Sequence, residues 1–263
     1  MAGRELPPTS RFAHDDGAAE PLLADALTAY AAGTGSLRGV VAALGRARVL
    51  VPVVALEEDA PPAPHEAGVA SSSVGHGPAA GHGAFTEARH AAAGVVAVAA
   101  PDGRTALPVF SSLTALAAWR SDARPMPAEG PRAAAAALQE GWGVLVLDPG
   151  PGAVVVPRPA VVALATGRPW RPAVSDGAVV DEVRDAVVRA VGGTMHVLTV
   201  DTVPGAHAEV AVVLGLRPGL SRPVLDAVLA TVGERLATAA DVVDLVDSVE
   251  LRVSAGGAAR RGR

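Results

Sequence analysis

Apolar residues recur first with a helical period and then in unbroken β-branched runs, and the two patterns alternate along most of the chain. Over residues 20–32, Leu22, Leu23, Ala26, Leu27 and Tyr30 recur at spacings that set them on one side of a helix, with Pro21 in its first turn. Gly33-Thr34-Gly35 stops that helix, and Ser36 caps a second one carrying Leu37, Val40, Val41 and Leu44. The Val-rich run 48–56 predicts a strand. Pro52 has no N–H to give a ladder, so this strand belongs at an edge or a bulge. Val95–Val98 and Thr105–Phe110 flank an Asp102-Gly103 turn and predict a β-hairpin. Two helices follow, one capped by Ser112 and carrying Leu113, Leu116 and Trp119, the other over 131–140 and ended by Gly141. Residues 143–148 read as a buried strand, turned back by Pro149-Gly150-Pro151-Gly152 into 153–156. A short helix over 159–166 closes this series at Gly167.

A second series begins after Trp170-Arg171-Pro172. Residues 181–191 form an amphipathic helix on Val183, Val187, Val188 and Val191. Strands follow at 194–203 and 209–216, joined by a Pro204-Gly205 loop. A long helix starts at Ser221 and Pro223 and runs through Val228, Val232 and Leu236, and a last strand covers 248–253. The order α-β-β-α-β matches most of a split βαβ sandwich. The expected class is therefore α+β: two small domains, each a mainly antiparallel sheet with packed helices. An arm covers 1–19, the first domain 20–169, the second 170–254 and a disordered tail 255–263. Within the first domain, residues 57–90 hold an acidic start followed by Gly, Pro, Ser and His with little to bury, and read as a flexible loop.

Composition narrows the chemistry. Half of the residues are apolar but only 3 % are aromatic, so the cores are built from Ala, Val and Leu. There is no Cys, which removes thiolate nucleophiles and thiolate metal sites. All 22 basic residues are Arg; without Lys there is neither a Schiff base nor a P-loop. Arg-only usage beside abundant Ala, Gly and Val points to a high-GC bacterial genome. The net charge of −5 argues against nucleic acid as a partner. Residues 1–17 lack the apolar stretch of a secretory signal, and the longest small-apolar run, 91–100, is far short of the ~20 residues that span a bilayer. The expected location is the cytoplasm, with no membrane contact.

Several constellations have a structural reading that outweighs a chemical one. His65, His76, His82 and His90 lie close in sequence, but their Gly- and Pro-rich surroundings fix no ligand geometry, so no metal is assigned. Gly33-Thr34-Gly35 with Gly39 follows a helix rather than a strand and misses the dinucleotide spacing; it is a helix–helix turn. Ser71–Ser73 fall in the loop, where no base can be held beside them, and there is no Gly-x-Ser-x-Gly elbow. His14-Asp15-Asp16 reads as an Asx-turn before a helix. No catalytic residue and no cofactor is assigned.

Taken in order, several stretches resemble one known family. They are Asp15-Asp16-Gly17 before an Ala-rich helix, 48–55, Arg104-Thr105-Ala106-Leu107-Pro108-Val109-Phe110-Ser111-Ser112, and Val156-Pro157-Arg158-Pro159-Ala160. Leu214-Gly215-Leu216-Arg217-Pro218-Gly219 and Val246-Asp247-Ser248-Val249-Glu250-Leu251 complete the set. In this order the chain resembles the SseB family, proteins named for enhanced serine sensitivity, in the form with an N-terminal and a C-terminal SseB domain. The resemblance covers about 12–57 and 90–254 and departs from the family at the His- and Gly-rich insertion. It implies a fold and a cytoplasmic life, and it brings no reaction, cofactor or catalytic residue.

One group near the expected domain junction stands out: Arg158, Arg168, Trp170 and Arg171. Trp and Arg are the residue types enriched at interface hot spots, which makes this group a candidate partner site. The alternative is that Trp170 plugs the seam between the two expected domains, with the arginines paired to nearby Asp or Glu. The expected function is a non-catalytic interaction or regulatory protein. The alternative is a small-ligand binder or an enzyme whose site is assembled at a cleft between the domains.

Overall fold

The computed structural model of the chain describes residue 12, residues 15–53, the backbone of 87–88 and residues 96–254. The candidate histidines at 65, 76, 82 and 90, the Ser71–Ser73 run and His14 lie outside the described residues. The chain divides into two compact units, Met1–Val156 and Pro157–Arg263. Both combine helices with small sheets, so the fold class is α+β.

The first unit opens with α1 (Pro21–Ala31) and α2 (Leu37–Leu44). Pro21 sits in the first turn of α1, and the Ser36 hydroxyl accepts from the Gly39 N–H at 3.2 Å to cap α2. Gly33 takes φ +69° between the two helices, so the Gly33-Thr34-Gly35 run is a helix–helix turn. The expected apolar face of α1 is narrower than its sequence pattern. Leu23 is buried, whereas Leu22 is 65 % exposed and Tyr30 lies on the surface, because α1 packs chiefly against α2 alone.

Strands β1 (Arg48–Val53), β2 (Glu87–Ala88), β3 (Ala97–Ala99) and β4 (Thr105–Val109) follow, then α3 (Leu113–Trp119), β5 (Arg124–Glu129), α4 (Gly130–Gln139), β6 (Leu145–Leu147) and β7 (Val154–Val156). One sheet has the order β2-β3-β4-β6-β7; its β4–β6 pair is parallel and its other pairs antiparallel. The hairpin around Asp102-Gly103 is the β3–β4 pair. β1 and β5 form a separate antiparallel ribbon. Leu50 tethers this ribbon to the end of β4 by exchanging both backbone hydrogen bonds with Phe110, each 2.8 Å.

The prolines obey this ladder. Since Leu50 gives its N–H to Phe110, its pair with Pro127 is a non-hydrogen-bonded one, and two residues on so is Pro52 with Pro125. β5 thus pairs as a strand although Pro125 and Pro127 give it no strand signature. Behind the sheets, Leu50, Phe110 and Leu116 form one buried cluster and Val98, Ala106, Val144 and Val146 another, with Trp119 packed against both.

The second unit contains α5 (Arg158–Ala165), a two-residue hairpin β8 (Val174–Ser175) and β9 (Ala178–Val179), α6 (Asp181–Val191), β10 (Val197–Pro204), β11 (Val210–Leu216), α7 (Arg222–Thr238), α8 (Ala240–Leu245) and β12 (Val249–Ser254). β11 is central, antiparallel to β10 and parallel to β12. Val210, Val212, Leu214 and Leu216 alternate along β11 and bury against Val183 and Val187 of α6 and Val228, Val232 and Leu236 of α7. Each such burial is worth about 1.5–3 kcal/mol, so this single cluster dominates the stability of the unit.

Candidate functional site

The site grows from the end of one short helix. α5 starts on Pro157-Arg158-Pro159, where a proline in the first turn forfeits only an N–H that has no helical partner. It stops at Gly167, which takes φ +67°. The Gly167 N–H returns to the Leu164 carbonyl at 3.1 Å and the Arg168 N–H to that of Ala163 at 2.9 Å, the paired bonds of a Schellman closure. This closure turns the chain back over α5 and presents Arg168-Pro169-Trp170-Arg171.

That segment, the start of α5, one face of α6 and the short α8 enclose a cleft of about 600 Å³ lying wholly within the second unit. Arg158, Arg168, Trp170 and Arg171 all line it. Trp170 is 8 % exposed, and its indole Nε1–H is buried without an acceptor among the described residues. The three arginines are exposed at the rim. The Arg168 Nε donates to Thr166 Oγ1 at 3.1 Å. The guanidinium groups of Arg158 and Arg171 have no hydrogen-bond or ion-pair partner among the described residues.

Carboxylates are nevertheless close. Glu182, Asp241 and Asp244 line the same cleft. Asp241 pairs with Arg189 at 3.0 Å and so joins α8 to α6. Glu182 and Asp244 pair with nothing among the described residues. The cleft therefore carries uncompensated charge of both signs on separate elements: Arg158, Arg168 and Arg171 form no ion pair with these acids among the described residues, while Arg189 pairs with Asp241.

Beneath it, carboxylates act as scaffold. Asp247 Oδ1 accepts from the Arg158 backbone N–H at 2.9 Å and fixes the start of α5. The Asp247 N–H in turn donates to Glu209 Oε2 at 2.8 Å. Burial pushes the Glu209 carboxyl above its ordinary range, opposed by the Asp247 N–H and reinforced by the nearby Asp247 charge.

A second polar constellation, in the first unit, is one that sequence spacing did not reveal. Arg48, 7 % exposed, holds Asp15 bidentately, with Nη2 to Oδ1 and Nε to Oδ2 both at 2.7 Å. It also donates to the carbonyls of Ala18 and Ser111. Ser111 then donates to Asp148 from its N–H at 2.8 Å and its hydroxyl at 2.7 Å. Burial raises the Asp148 carboxyl above its ordinary range. Asp15 and Asp16 do form Asx-turns, accepting from the N–H groups of Gly17 and Ala18 at 2.9 Å. The chain Asp15–Arg48–Ser111–Asp148 joins three of the stretches that carry the family resemblance. Among the described residues, no group of three or more His, Asp or Glu side chains is placed to hold a metal ion. No described helix is long and apolar enough to cross a membrane.

No curated protein and no solved structure matches the chain. The family model of the SseB protein N-terminal domain matches residues 23–163, more than half of the sequence and nearly all of the described first unit. With hairpin, Ser112-capped helix and Val-Pro-Arg-Pro segment all inside that match, the chain belongs to the SseB family.

Proposed function

We propose that this SseB-family protein is a non-catalytic interaction or regulatory module of the cytoplasm. In this reading residues 170–254 are the C-terminal SseB domain, and the cleft around Trp170 is the partner-binding surface. One observation carries the reading: a buried Trp and three exposed arginines, none of them ion-paired among the described residues, share one cleft within one unit. Aromatic anchors ringed by Arg dominate binding energy at protein interfaces. The absence of Cys and Lys from the sequence removes two of the commoner nucleophiles and so favours binding over catalysis. The cytoplasmic assignment is supported by the Cys-free composition, which suits a reducing compartment.

Affinity capture from a lysate of the native source, at physiological salt and read by mass spectrometry, tests this. A stoichiometric partner should be retained by the unaltered chain and reduced at least tenfold by Arg158→Ala with Arg171→Ala. Both side chains are exposed and their removal leaves the fold intact. A bait that captures nothing, or a partner indifferent to both substitutions, would remove the reading.

A further inference from the structure

The unpaired charges of the cleft say what kind of partner segment fits it. Arg158 and Arg171 stand on α5 and on the segment after it; Glu182 and Asp244 stand on α6 and α8. All four line one space and none has found another, although elsewhere in the chain arginines and carboxylates pair freely, as in Arg184–Asp181, Arg222–Asp226 and Arg104–Asp102. A simple anion would satisfy the arginines and leave two carboxylates facing it. A simple cation would do the reverse. Only an occupant carrying both signs compensates both walls.

The lining also argues against a small enclosed ligand. Such pockets are mainly apolar with a few convergent polar groups, whereas half of the residues around this cleft are exposed Arg, Asp or Glu. An extended segment lying along the surface suits it better. Pro159, Pro169 and Val243 supply apolar contact between the charged walls.

We infer that the cleft binds a protein segment of mixed charge, acidic side chains against Arg158, Arg168 and Arg171 and basic ones against Glu182 and Asp244. This rests on the cleft being the partner surface, as proposed above, and adds the chemistry of what enters it.

The test uses the full-length chain and three fluorescein-labelled octapeptides: all Glu, all Lys, and alternating Glu and Lys, read by fluorescence anisotropy at low and at physiological salt. The alternating peptide should bind tightest, the all-Glu peptide next and the all-Lys peptide weakest. Glu182→Gln with Asp244→Asn should weaken the alternating peptide about two- to fivefold per charge removed while leaving all-Glu binding equal or stronger. Glu182→Arg with Asp244→Arg should move all-Glu ahead of the alternating peptide and into first place. Thermal melts of each variant exclude misfolding. The inference fails if all-Glu matches the alternating peptide on the unaltered chain, if the carboxylate substitutions change nothing, or if no peptide binds. The lysate capture separates the two failures. A captured partner lost with the arginines but indifferent to Glu182→Gln and Asp244→Asn sinks mixed-charge recognition alone, and an empty capture sinks the interaction module with it.

Discussion

Arg48 shows how much a single side chain can hold. Its guanidinium is buried, with Asp15 on one side and the Ala18 and Ser111 carbonyls on the other. Removing one partner of a buried pair leaves the other uncompensated, which costs about 3–5 kcal/mol. Arg48→Ala should therefore approach the limit of what a small domain tolerates, with a urea midpoint far below that of the parent. Arg48→Lys keeps the charge but loses the bidentate fork, and should recover only part of the loss. A Lys variant as stable as the parent would show that charge alone suffices. Gly130 makes a contrasting case. In the first turn of α4, Ala should be better than Gly by roughly 1 kcal/mol on helix propensity. Its Cβ, however, would lie 2.0 Å from the Leu44 carbonyl oxygen. Backbone cannot yield as a side chain does, so Gly130→Ala should destabilise in the same urea titration, by more than propensity returns.

At the scale of elements, the turns are held by glycines whose conformation the sequence announced. α1, α4 and α5 end in the same way, with Gly33, Gly141 and Gly167 at positive φ. At Gly167 an added Cβ would meet nothing within 4 Å, so the penalty of a substitution is backbone strain alone. Gly167→Ala should cost about 1–2 kcal/mol, and Gly167→Asn, which tolerates the left-handed region, less. Because Gly167 aims the segment bearing Trp170, the Ala variant should also shift Trp emission, measured with Trp119 and Trp142 replaced by Phe. Unchanged emission would show that the segment is held by its own contacts.

The elements that were legible are those whose own residues determine them. Ser36 and Ser112 cap their helices as their positions suggest, and the Val-rich runs pair as strands. β5 was illegible because a proline strand is defined only by a partner whose free positions match, here Leu50 and Pro52. The small β8–β9 hairpin did carry a signal: Asp176-Gly177, at φ +52° and +74°, is a two-residue turn between Ser175 and Ala178. The site divides likewise. Arg and Trp clustering marked one wall of the cleft in the sequence, while Glu182 and Asp244 reach it through the packing of α6 and α8, which no local spacing encodes.

For the whole molecule, the ionisable groups set opposite slopes on either side of mild acidity. Burial raises Asp148 and Glu209 above their ordinary ranges. The folded state then binds more protons than the unfolded one between the unfolded value (3.8 for Asp148, 4.5 for Glu209) and the raised folded value. Their contribution is fully present below the unfolded value and is lost as pH rises through the folded one. The opposite holds for Asp122, lowered by the Arg120 hydrogen bond, and for Glu250, lowered chiefly by the Ala206 N–H. Their stabilisation is present above 3.8 and 4.5 and fades as pH falls further, and it is small because both groups are solvated. Stability followed by urea denaturation should therefore rise as pH is lowered through the raised folded values of Asp148 and Glu209 and decline under stronger acid. Glu209→Gln should flatten the rise without moving the acid limb. Since Glu209 supports Asp247, and Asp247 the start of α5, the same variant should loosen Arg158 and weaken capture at neutral pH. An unaltered slope in Glu209→Gln would place the proton uptake at Asp148, and an unaltered slope in Asp148→Asn as well would remove burial of these two carboxyls as its cause.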